Sequence, residues 1–282
     1  MAAPVSEESC LDSYDYFFRP DLLAGKVAFV TGGGSGIGFT ITEVLMRHGC
    51  NTVIASRNFE RVKKAAEKLE KCTGQRCLPI QMDVRKVNQI EEAVNLTLKT
   101  FNKIDIIVNN AAGNFLCPAE NLSYNAIRTV FDIDTFGTFN MSKAVYNSWF
   151  KDHGGSIVNI TATLSDGALP LQMHAGSAKV AIEAMAKHLA VEWGPQGVRV
   201  NCVAPGPIED TEGMSRLGRG VPISPESTPL RRVGTRRDVA DAVLFLASNA
   251  SSYVTAQTVV VDGGTKFPGA RMLANISRAS KL

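Results

Sequence analysis

Three glycines near the start of the chain could bring main-chain amides close to a phosphate group. Gly32, Gly36 and Gly38 follow the apolar run 27–30 and precede a helical pattern of apolar residues. Glycine allows a close approach of the backbone to a pyrophosphate, and the positive end of a helix stabilises its charge. The pattern predicts a dinucleotide site with these contacts: Gly32, Gly33, Gly34, Ser35, Gly36, Ile37 and Gly38.

The residues after the next apolar run predict which dinucleotide binds. An enzyme that selects NAD needs a carboxylate there for the ribose hydroxyl, but this chain has Ser56, Arg57 and Asn58. The guanidinium of Arg57 is a permanently charged fork that suits a phosphate. We therefore predict NADPH as the cofactor, with Arg57 and Asn58 as contacts. A solvent-facing Arg57 without a ligand role is the alternative.

Apolar runs of strand length alternate with helical patterns along the whole chain, which predicts the elements that position these groups. The predicted strands are 26–31, 51–56, 77–82, 104–109, 155–162, 199–204 and 258–261. The predicted helices are 36–48, 59–71, 86–101, 124–150, 174–193 and 236–247. This order indicates an α/β fold: a single doubly wound, Rossmann-like parallel sheet with helices on both faces.

We predict one domain over residues 1–282, because no linker or change of composition divides the 282 residues, of which 45% are apolar. Residues 1–24 form an N-terminal extension, and the glycine- and proline-rich segment 205–232 is predicted to be a substrate lid. The net charge of +3 is dispersed, and no apolar run has the length of a membrane span. We expect no nucleic-acid partner, no membrane span, no metal and no disulfide among the six scattered cysteines.

Two further motifs complete a family pattern. Residues 109–113 read Asn-Asn-Ala-Ala-Gly, and residues 174–179 end at Lys179. Together with the spacing Gly-x-x-x-Gly-x-Gly, they resemble the short-chain dehydrogenase/reductase family over nearly the whole chain. The resemblance implies further cofactor contacts: Asp83, Val84, Asn110, Lys179, Pro205, Gly206, Pro207, Ile208 and Thr211. For Asp83 the implied role is a hydrogen bond to the adenine amino group, and a helix N-cap is a compatible alternative.

The usual catalytic residues of the family are changed in this chain. Most members use a Tyr-x-x-x-Lys acid, but Ala175 stands four residues before Lys179. The positions of the family's serine and asparagine hold Ala162 and Asp134. Loss of the carbonyl-directed hydroxyls has two explanations, a silent cofactor binder or a reductase of a conjugated thioester. The retained lysine favours the second, with Asp134 and Lys179 as catalytic residues.

Several segments resemble the 2,4-dienoyl-CoA reductase branch of this family. The mitochondrial form has a tyrosine where this chain has Leu164, so the peroxisomal form is the better match. The resemblance implies NADPH-dependent reduction of 2,4-dienoyl-CoA to trans-3-enoyl-CoA. A 3-oxoacyl or other carbonyl reductase and a catalytically silent NADP-binding scaffold are the alternatives.

The proton donor is expected to be Asp134, directly or through water. We predict that it lies on the inner face of a long helix, where burial raises the pKa of its carboxyl. It could instead be an acid on the helix surface or a partner for Lys179. His174 is a second candidate for the acid.

A CoA thioester has phosphates at one end and an apolar chain at the other. By resemblance the phosphate contacts are Arg57, Arg85 and Arg216, and the acyl-thioester side is lined by Phe115, Ser123, Tyr124 and Asn125. Family members assemble through two long helices, here 124–150 and 174–193, which implies a homotetramer.

The last three residues, Ser280-Lys281-Leu282, match an address that the peroxisomal import receptor reads. We therefore expect the protein in the peroxisome. This expectation agrees with the branch that the missing tyrosine indicates.

Overall fold

The computed structural model describes residues 8–165, 167–211, 225 and 228–267. The predicted phosphate contact Arg216 and the tripeptide 280–282 lie outside these residues. The same holds for residues 212–224, 226 and 227 of the predicted lid 205–232. Within the described part of the chain, no helix combines the length and the apolar character needed to cross a membrane.

Seven parallel strands form one sheet. They are β1 (Val27–Thr31), β2 (Asn51–Ser56), β3 (Cys77–Gln81), β4 (Ile106–Asn109), β5 (Gly155–Ile160), β6 (Val198–Pro205) and β7 (Thr258–Val261). Their order across the sheet is β3-β2-β1-β4-β5-β6-β7, and every neighbouring pair is parallel. The predicted doubly wound parallel sheet is confirmed. All carboxyl ends of the strands therefore meet at one edge, where ligands bind in such sheets.

Helices cover both faces of the sheet. They are α1 (Gly36–Arg47), α2 (Phe59–Thr73), α3 (Val87–Phe101), α4 (124–153), α5 (Met173–Trp193) and α6 (Arg236–Ala247). One apolar core includes residues of α1, α2 and α6, and the other includes residues of α3, α4 and α5. The strands are almost continuously buried because both faces are covered.

Helix α4 is not regular along its length. The segments Tyr124–Phe131 and Gly137–Val145 are α-helical, but Asp132–Phe136 and Tyr146–Phe150 are π-helical turns. A π-helical turn contains one residue more than an α-helical turn and is frequent at functional sites. Asp134, the predicted acid, lies in the first of these turns.

Candidate active site

The loop from β1 to α1 is shaped by its glycines. Gly32 has φ +68° and Gly36 has φ +54°, in the left-handed region that glycine adopts without strain. At Gly38 a Cβ atom would lie 2.4 Å from the carbonyl oxygen of Gly32. The N-cap residue of α1, Ser35, forms no side-chain hydrogen bond with the helix. The loop is thus compact, and the Ser35 side chain does not occupy the first amides of α1; that of Gly36 donates to Glu8 from the N-terminal segment.

Asn110 joins this loop to the end of β4. Its side-chain nitrogen donates to the carbonyl oxygens of Thr31 at 3.0 Å and Gly32 at 3.3 Å, and its backbone N–H donates to Thr31 Oγ1 at 3.0 Å. A Cβ atom at Gly32 or Gly38 would lie within 2.8 Å of the same nitrogen. These contacts assign Asn110 a role in holding the loop, and they use its backbone N–H and the nitrogen of its side chain.

The end of β2 carries an exposed cation, Arg57. The side-chain oxygen of Asn58 accepts the backbone N–H of Arg61 at 3.0 Å and so caps α2, while Ser56 Oγ accepts the N–H of Asn58 at 3.2 Å. The predicted cofactor contact Asn58 therefore uses its side-chain oxygen for the helix. Arg57 is exposed, and its guanidinium has no ion-pair partner among the described residues. This guanidinium is available for a phosphate group.

Asp83 and Arg85 form a bidentate pair after β3. Arg85 Nε lies 2.9 Å from Asp83 Oδ1, and Arg85 Nη2 lies 2.5 Å from Asp83 Oδ2. This hydrogen-bonded pairing lowers the pKa of the Asp83 carboxyl and raises that of Arg85. The N-cap alternative for Asp83 is wrong, because the N-cap residue of α3 is Lys86. A phosphate bound to Arg85, a predicted phosphate contact, would have to share the guanidinium with the Asp83 carboxylate. The neighbouring Val84 is buried.

The segment after β6 closes the same edge of the sheet. Pro205 ends the strand, and the N–H of Gly206 donates to the carbonyl of Val261 at 2.9 Å. Ile208 is buried and forms an isolated bridge with Gly234, while Thr211 Oγ1 donates to the carbonyl of Ile208 at 3.0 Å. Pro207 lies between them. This part of the predicted lid is ordered and borders the proposed cofactor site.

Asp134 and Lys179 form an ion pair inside the protein. The Asp134 side chain is 1% exposed and that of Lys179 is 10% exposed, and Lys179 Nζ lies 3.1 Å from Asp134 Oδ2. Asp134 Oδ1 accepts the N–H of Gly113 at 2.7 Å, and Lys179 Nζ donates to the carbonyl of Ile160 at 3.0 Å. The prediction that Asp134 faces inward is confirmed, and the helix-surface alternative is wrong. The other alternative, in which Asp134 pairs with Lys179, corresponds to this ion pair.

The two oxygens of Asp134 differ in their surroundings. Oδ1 is held by a backbone amide, whereas Oδ2 is buried and accepts no hydrogen bond of good geometry among the described residues. Lys179 provides charge beside Oδ2 while directing a hydrogen bond at Ile160. Oδ2 is therefore the oxygen with capacity for a proton or a bound water.

Alanines stand at the positions of the family's tyrosine and serine. Ala175 is buried at the start of α5, and Ala162 is half-buried just after β5. The nearby hydroxyl of Thr161 donates to Glu183 Oε1 at 3.0 Å. The site thus contains a buried carboxylate and a lysine, which can transfer a proton but do not form the usual pair of donors to a carbonyl oxygen.

His174 has a different environment from Asp134. Its ring is fully buried and stacks on Phe115 with ring centroids 4.3 Å apart. Neither ring nitrogen has a hydrogen-bond partner among the described residues. His174 therefore forms no side-chain hydrogen bond with the described residues, and its ring contacts Phe115, which is partly exposed.

The remaining predicted substrate contacts lie at the start of α4. Ser123 is the N-cap, and its Oγ accepts the N–H of Ala126 at 3.2 Å. Tyr124 is 94% exposed, and Asn125 is exposed beside it. The structure places these three residues together on the surface, and it does not bring them into contact with Asp134.

Sequence reasoning did not find three groups at the site. Two are main-chain groups, the N–H of Gly113 and the carbonyl of Ile160, and a residue type carries no signal for them. The third is Glu8, whose Oε1 accepts the N–H of Gly36 at 2.8 Å. An acid near a glycine-rich loop in space, but 28 residues away in sequence, has no local pattern that would reveal it.

The glycine loop and the buried lysine fit a nicotinamide dinucleotide cofactor. A family model described as enoyl-(acyl carrier protein) reductase matches residues 32–266, so the chain belongs to this family within the short-chain dehydrogenases/reductases.

Particular relatives are also similar over most of the chain. Peroxisomal 2,4-dienoyl-CoA reductase [(3E)-enoyl-CoA-producing] from Danio rerio is 59% identical over 99% of this chain and 95% of its own length. The protein of the same name from Rattus norvegicus is 58% identical, with 93% and 90% covered. Gluconate 5-dehydrogenase from Burkholderia cenocepacia, solved in complex with NADP and tartrate, is 30% identical with a TM-score of 0.82, covering 87% of this chain and 97% of that one.

Proposed function

We propose that this protein is an NADPH-dependent 2,4-dienoyl-CoA reductase that produces (3E)-enoyl-CoA in the peroxisome. The observation that carries the proposal is the buried pair of Asp134 and Lys179 in a site where Ala175 replaces the tyrosine acid. The named relatives at 59% and 58% identity support the same substrate and compartment.

Bound NADPH would supply hydride to the distal carbon of the conjugated diene. Negative charge then develops on the thioester enolate at the other end of the conjugated system. Lys179 contributes positive charge beside Asp134, and the proton for the carbon next to the thioester comes from Asp134 in its protonated form at Oδ2, or from a water held by the Asp134 carboxylate, which leaves as hydroxide and is reprotonated from solvent. The N–H of Gly113 keeps the carboxyl in place during this transfer.

The contacts in the cofactor site support NADPH. The glycine loop would hold the pyrophosphate, and Lys179 would hold the nicotinamide ribose. Arg57 would contact the phosphate that distinguishes NADPH from NADH, because its guanidinium is exposed and has no other ion-pair partner in the described part of the chain. The carboxylate of Asp83 would accept a hydrogen bond from the adenine amino group.

One assay tests the proposed reaction. NADPH consumption by the purified protein is measured with a 2,4-dienoyl-CoA, with a 3-oxoacyl-CoA and without substrate. The mass of the product and the position of its double bond are then determined by mass spectrometry. We expect consumption only with the dienoyl-CoA, and a (3E)-enoyl-CoA product. Consumption with the 3-oxoacyl-CoA alone would identify a carbonyl reductase. Binding of NADPH without turnover on either thioester would identify a silent scaffold.

We also propose that the protein assembles as a homotetramer. The outer side of α5 exposes Met173, Val180 and Val191, and Phe136 on α4 is 54% exposed. Light scattering should give the mass of a tetramer, and Val180→Glu should reduce it. Val87→Glu, at an exposed valine of α3, is the matched control and should keep the tetramer mass. An unchanged mass for Val180→Glu would place the interface elsewhere.

A test in cells addresses the compartment. A labelled full chain should co-localise with a peroxisomal marker, and removal of residues 280–282 should leave it in the cytosol with the activity of the purified protein unchanged. Peroxisomal labelling of the shortened chain would show that another signal directs import.

A further inference from the structure

The N-terminal segment runs beside the glycine loop and is held there by several contacts. Glu8 Oε1 accepts the N–H of Gly36 at 2.8 Å, and Glu8 Oε2 pairs with Arg236 Nη1 at 2.5 Å. Lys68 Nζ donates to the backbone carbonyl of Glu8 at 2.8 Å. The carboxylate of Glu8 thus lies on the first amide of α1, which is one of the donors available for a phosphate.

Two cysteines meet two residues further along this segment. Cys10 is half-buried, and Cys72 is exposed in the last turn of α2. Their sulfur atoms and a carboxylate oxygen of Glu43 all lie within 4.8 Å of one another. Arg47 Nη2 lies 3.1 Å from Cys72 Sγ. The other cysteines at which burial raises the pKa, Cys50, Cys77 and Cys202, are fully or almost fully buried.

The hydrogen bonds of Glu43 argue against a metal ion at this cluster. Glu43 Oε1 accepts from Arg47 Nε at 2.8 Å and from the N–H of Leu11 at 2.9 Å, and its Oε2 is 3.2 Å from the same N–H. A cation bound to this carboxylate would lie against the Arg47 guanidinium. The arrangement suits a pair of thiols better than a set of metal ligands.

We propose that Cys10 and Cys72 are an oxidisable pair, that a peroxide converts them to a disulfide, and that the disulfide retains Glu8 on the glycine loop and weakens NADPH binding. The second part depends on the proposed NADPH site. The earlier expectation that no cysteine forms a disulfide would then fail for this pair.

The exposed Cys72 is the attacking group. Its thiolate, next to the positive charge of Arg47, attacks the O–O bond of the peroxide, forming a sulfenic acid and releasing an alcohol or water after protonation. The Cys10 thiol then attacks the sulfenic sulfur, and its proton leaves with the hydroxyl as water. Two thiols and one peroxide thus give one disulfide, one alcohol and one water. Burial, together with Glu43, raises the pKa of the Cys10 thiol to about 12, so Cys10 keeps its proton and is the weaker nucleophile of the pair in the first step.

The disulfide would affect the cofactor site because the chain between Cys10 and Glu8 is short. Glu8 must leave the Gly36 amide before a phosphate can accept from it, because one N–H serves one acceptor well. Cys10 is only two residues from Glu8, so a bond from Cys10 to Cys72 limits how far Glu8 can move. The carboxylate also repels the negative charge of a phosphate.

The redox step is tested on the full chain treated with hydrogen peroxide and then with a thiol-blocking reagent. Peptide mapping should identify a Cys10–Cys72 cross-linked peptide that dithiothreitol removes. The variant Cys72→Ser should not form it, whereas Cys77→Ser, at a buried cysteine, should form it normally. Free Cys10 and Cys72 in protein whose exposed methionines are already oxidised would overturn the proposal.

The effect on the cofactor is tested by NADPH binding, measured by fluorescence without thioester substrate. The oxidised protein should bind NADPH roughly tenfold more weakly than the reduced protein, and dithiothreitol should restore the affinity. Glu8→Ala should still form the disulfide and should lose most of this difference. A disulfide with unchanged NADPH affinity would overturn the regulatory part. Absence of NADPH binding in the reduced protein would instead overturn the proposed function.

Discussion

The glycine loop and the Asp134–Lys179 pair lie at the same edge of the sheet and act through different parts of the chain. The loop depends on main-chain atoms and on the absence of side chains, since Gly38 lies against the carbonyl of Gly32. The pair depends on two charged side chains that are almost fully buried. The loop keeps its main-chain donors for a phosphate as long as its glycines are retained. At the Asp134–Lys179 pair, by contrast, a single side-chain substitution changes the groups that transfer the proton.

The largest effect is expected for the side-chain site. Asp134→Asn keeps the shape and the acceptor for Gly113 but removes the acid, so kcat should fall roughly 10²–10⁴-fold while NADPH affinity stays nearly unchanged. Steady-state kinetics and NADPH binding measure the two effects. Asp132→Asn, at a half-buried acid of the same helical turn, is the matched control. Near-normal kcat in Asp134→Asn would assign the proton to another donor, and His174 would be tested next.

A smaller effect is expected at the end of β2. Arg57→Asp removes the proposed phosphate contact and introduces repulsion, so binding of NADPH should weaken by about 2–3 kcal/mol while binding of NADH changes little. Titration with each cofactor measures the two affinities, and NADH, which lacks this phosphate, is the control ligand. Equal losses for both cofactors would remove Arg57 from the selection of NADPH.

The loop itself is tested by adding one carbon. In Gly38→Ala the new Cβ atom would lie 2.4 Å from a backbone oxygen, so the loop must shift at a cost of about 1–3 kcal/mol in unfolding free energy, with weaker NADPH binding. Gly194→Ala, where a Cβ atom meets nothing within 4 Å, is the control. Denaturant unfolding compares the two variants. Equal stability would mean that the loop is less constrained than its contacts indicate.

The smallest effect lies away from both sites, at the start of α6. Arg232 holds the pKa of Asp238 at about 2, below its ordinary 3.8, and Asp238 completes a capping box with Thr235. Asp238→Asn should lower the unfolding free energy by about 0.5–1 kcal/mol, because solvent screens the pair and the amide caps less well. The folded-state pKa is lowered, so this stability is present above about pH 4 and is lost as the pH falls to about 2. The unfolding curves of the wild type and of Asp238→Asn should differ at neutral pH and converge at acidic pH. A difference in unfolding free energy that stays constant with pH would contradict the assignment.

The fold could be predicted because both of its signals are local. Alternating apolar runs and helical patterns predicted the seven strands of the sheet and the six long helices of the described residues, with errors at their ends only. The predicted strand 155–162 ends at Ile160, and the predicted helix 124–150 continues to residue 153. Strand ends depend on which neighbouring strand still offers hydrogen bonds, and that is a property of the sheet rather than of the residues.

The site could be predicted in part. The inward position of Asp134 was predicted for the residue at the family's asparagine position, and the lack of a tyrosine was visible directly in Ala175. The pairing of Asp83 with Arg85 was not predicted, because the two residues are also compatible with a helix start. The contact between Glu8 and Gly36 was not predicted either, since it joins segments that only the folded chain brings together.

The π-helical turn Asp132–Phe136 has a consequence for how this helix can vary. The extra residue offsets the angular phase of the segment before it from that of the segment after it. Tyr124–Phe131 faces the surface where substrate contacts are proposed, and Gly137–Val145 packs into the core through Met141 and Val145. Because the turn separates the two phases, the exposed positions of the first segment can change without altering which residues of the second segment face the core. The helix thus combines an adaptable half and a fixed half in one continuous backbone.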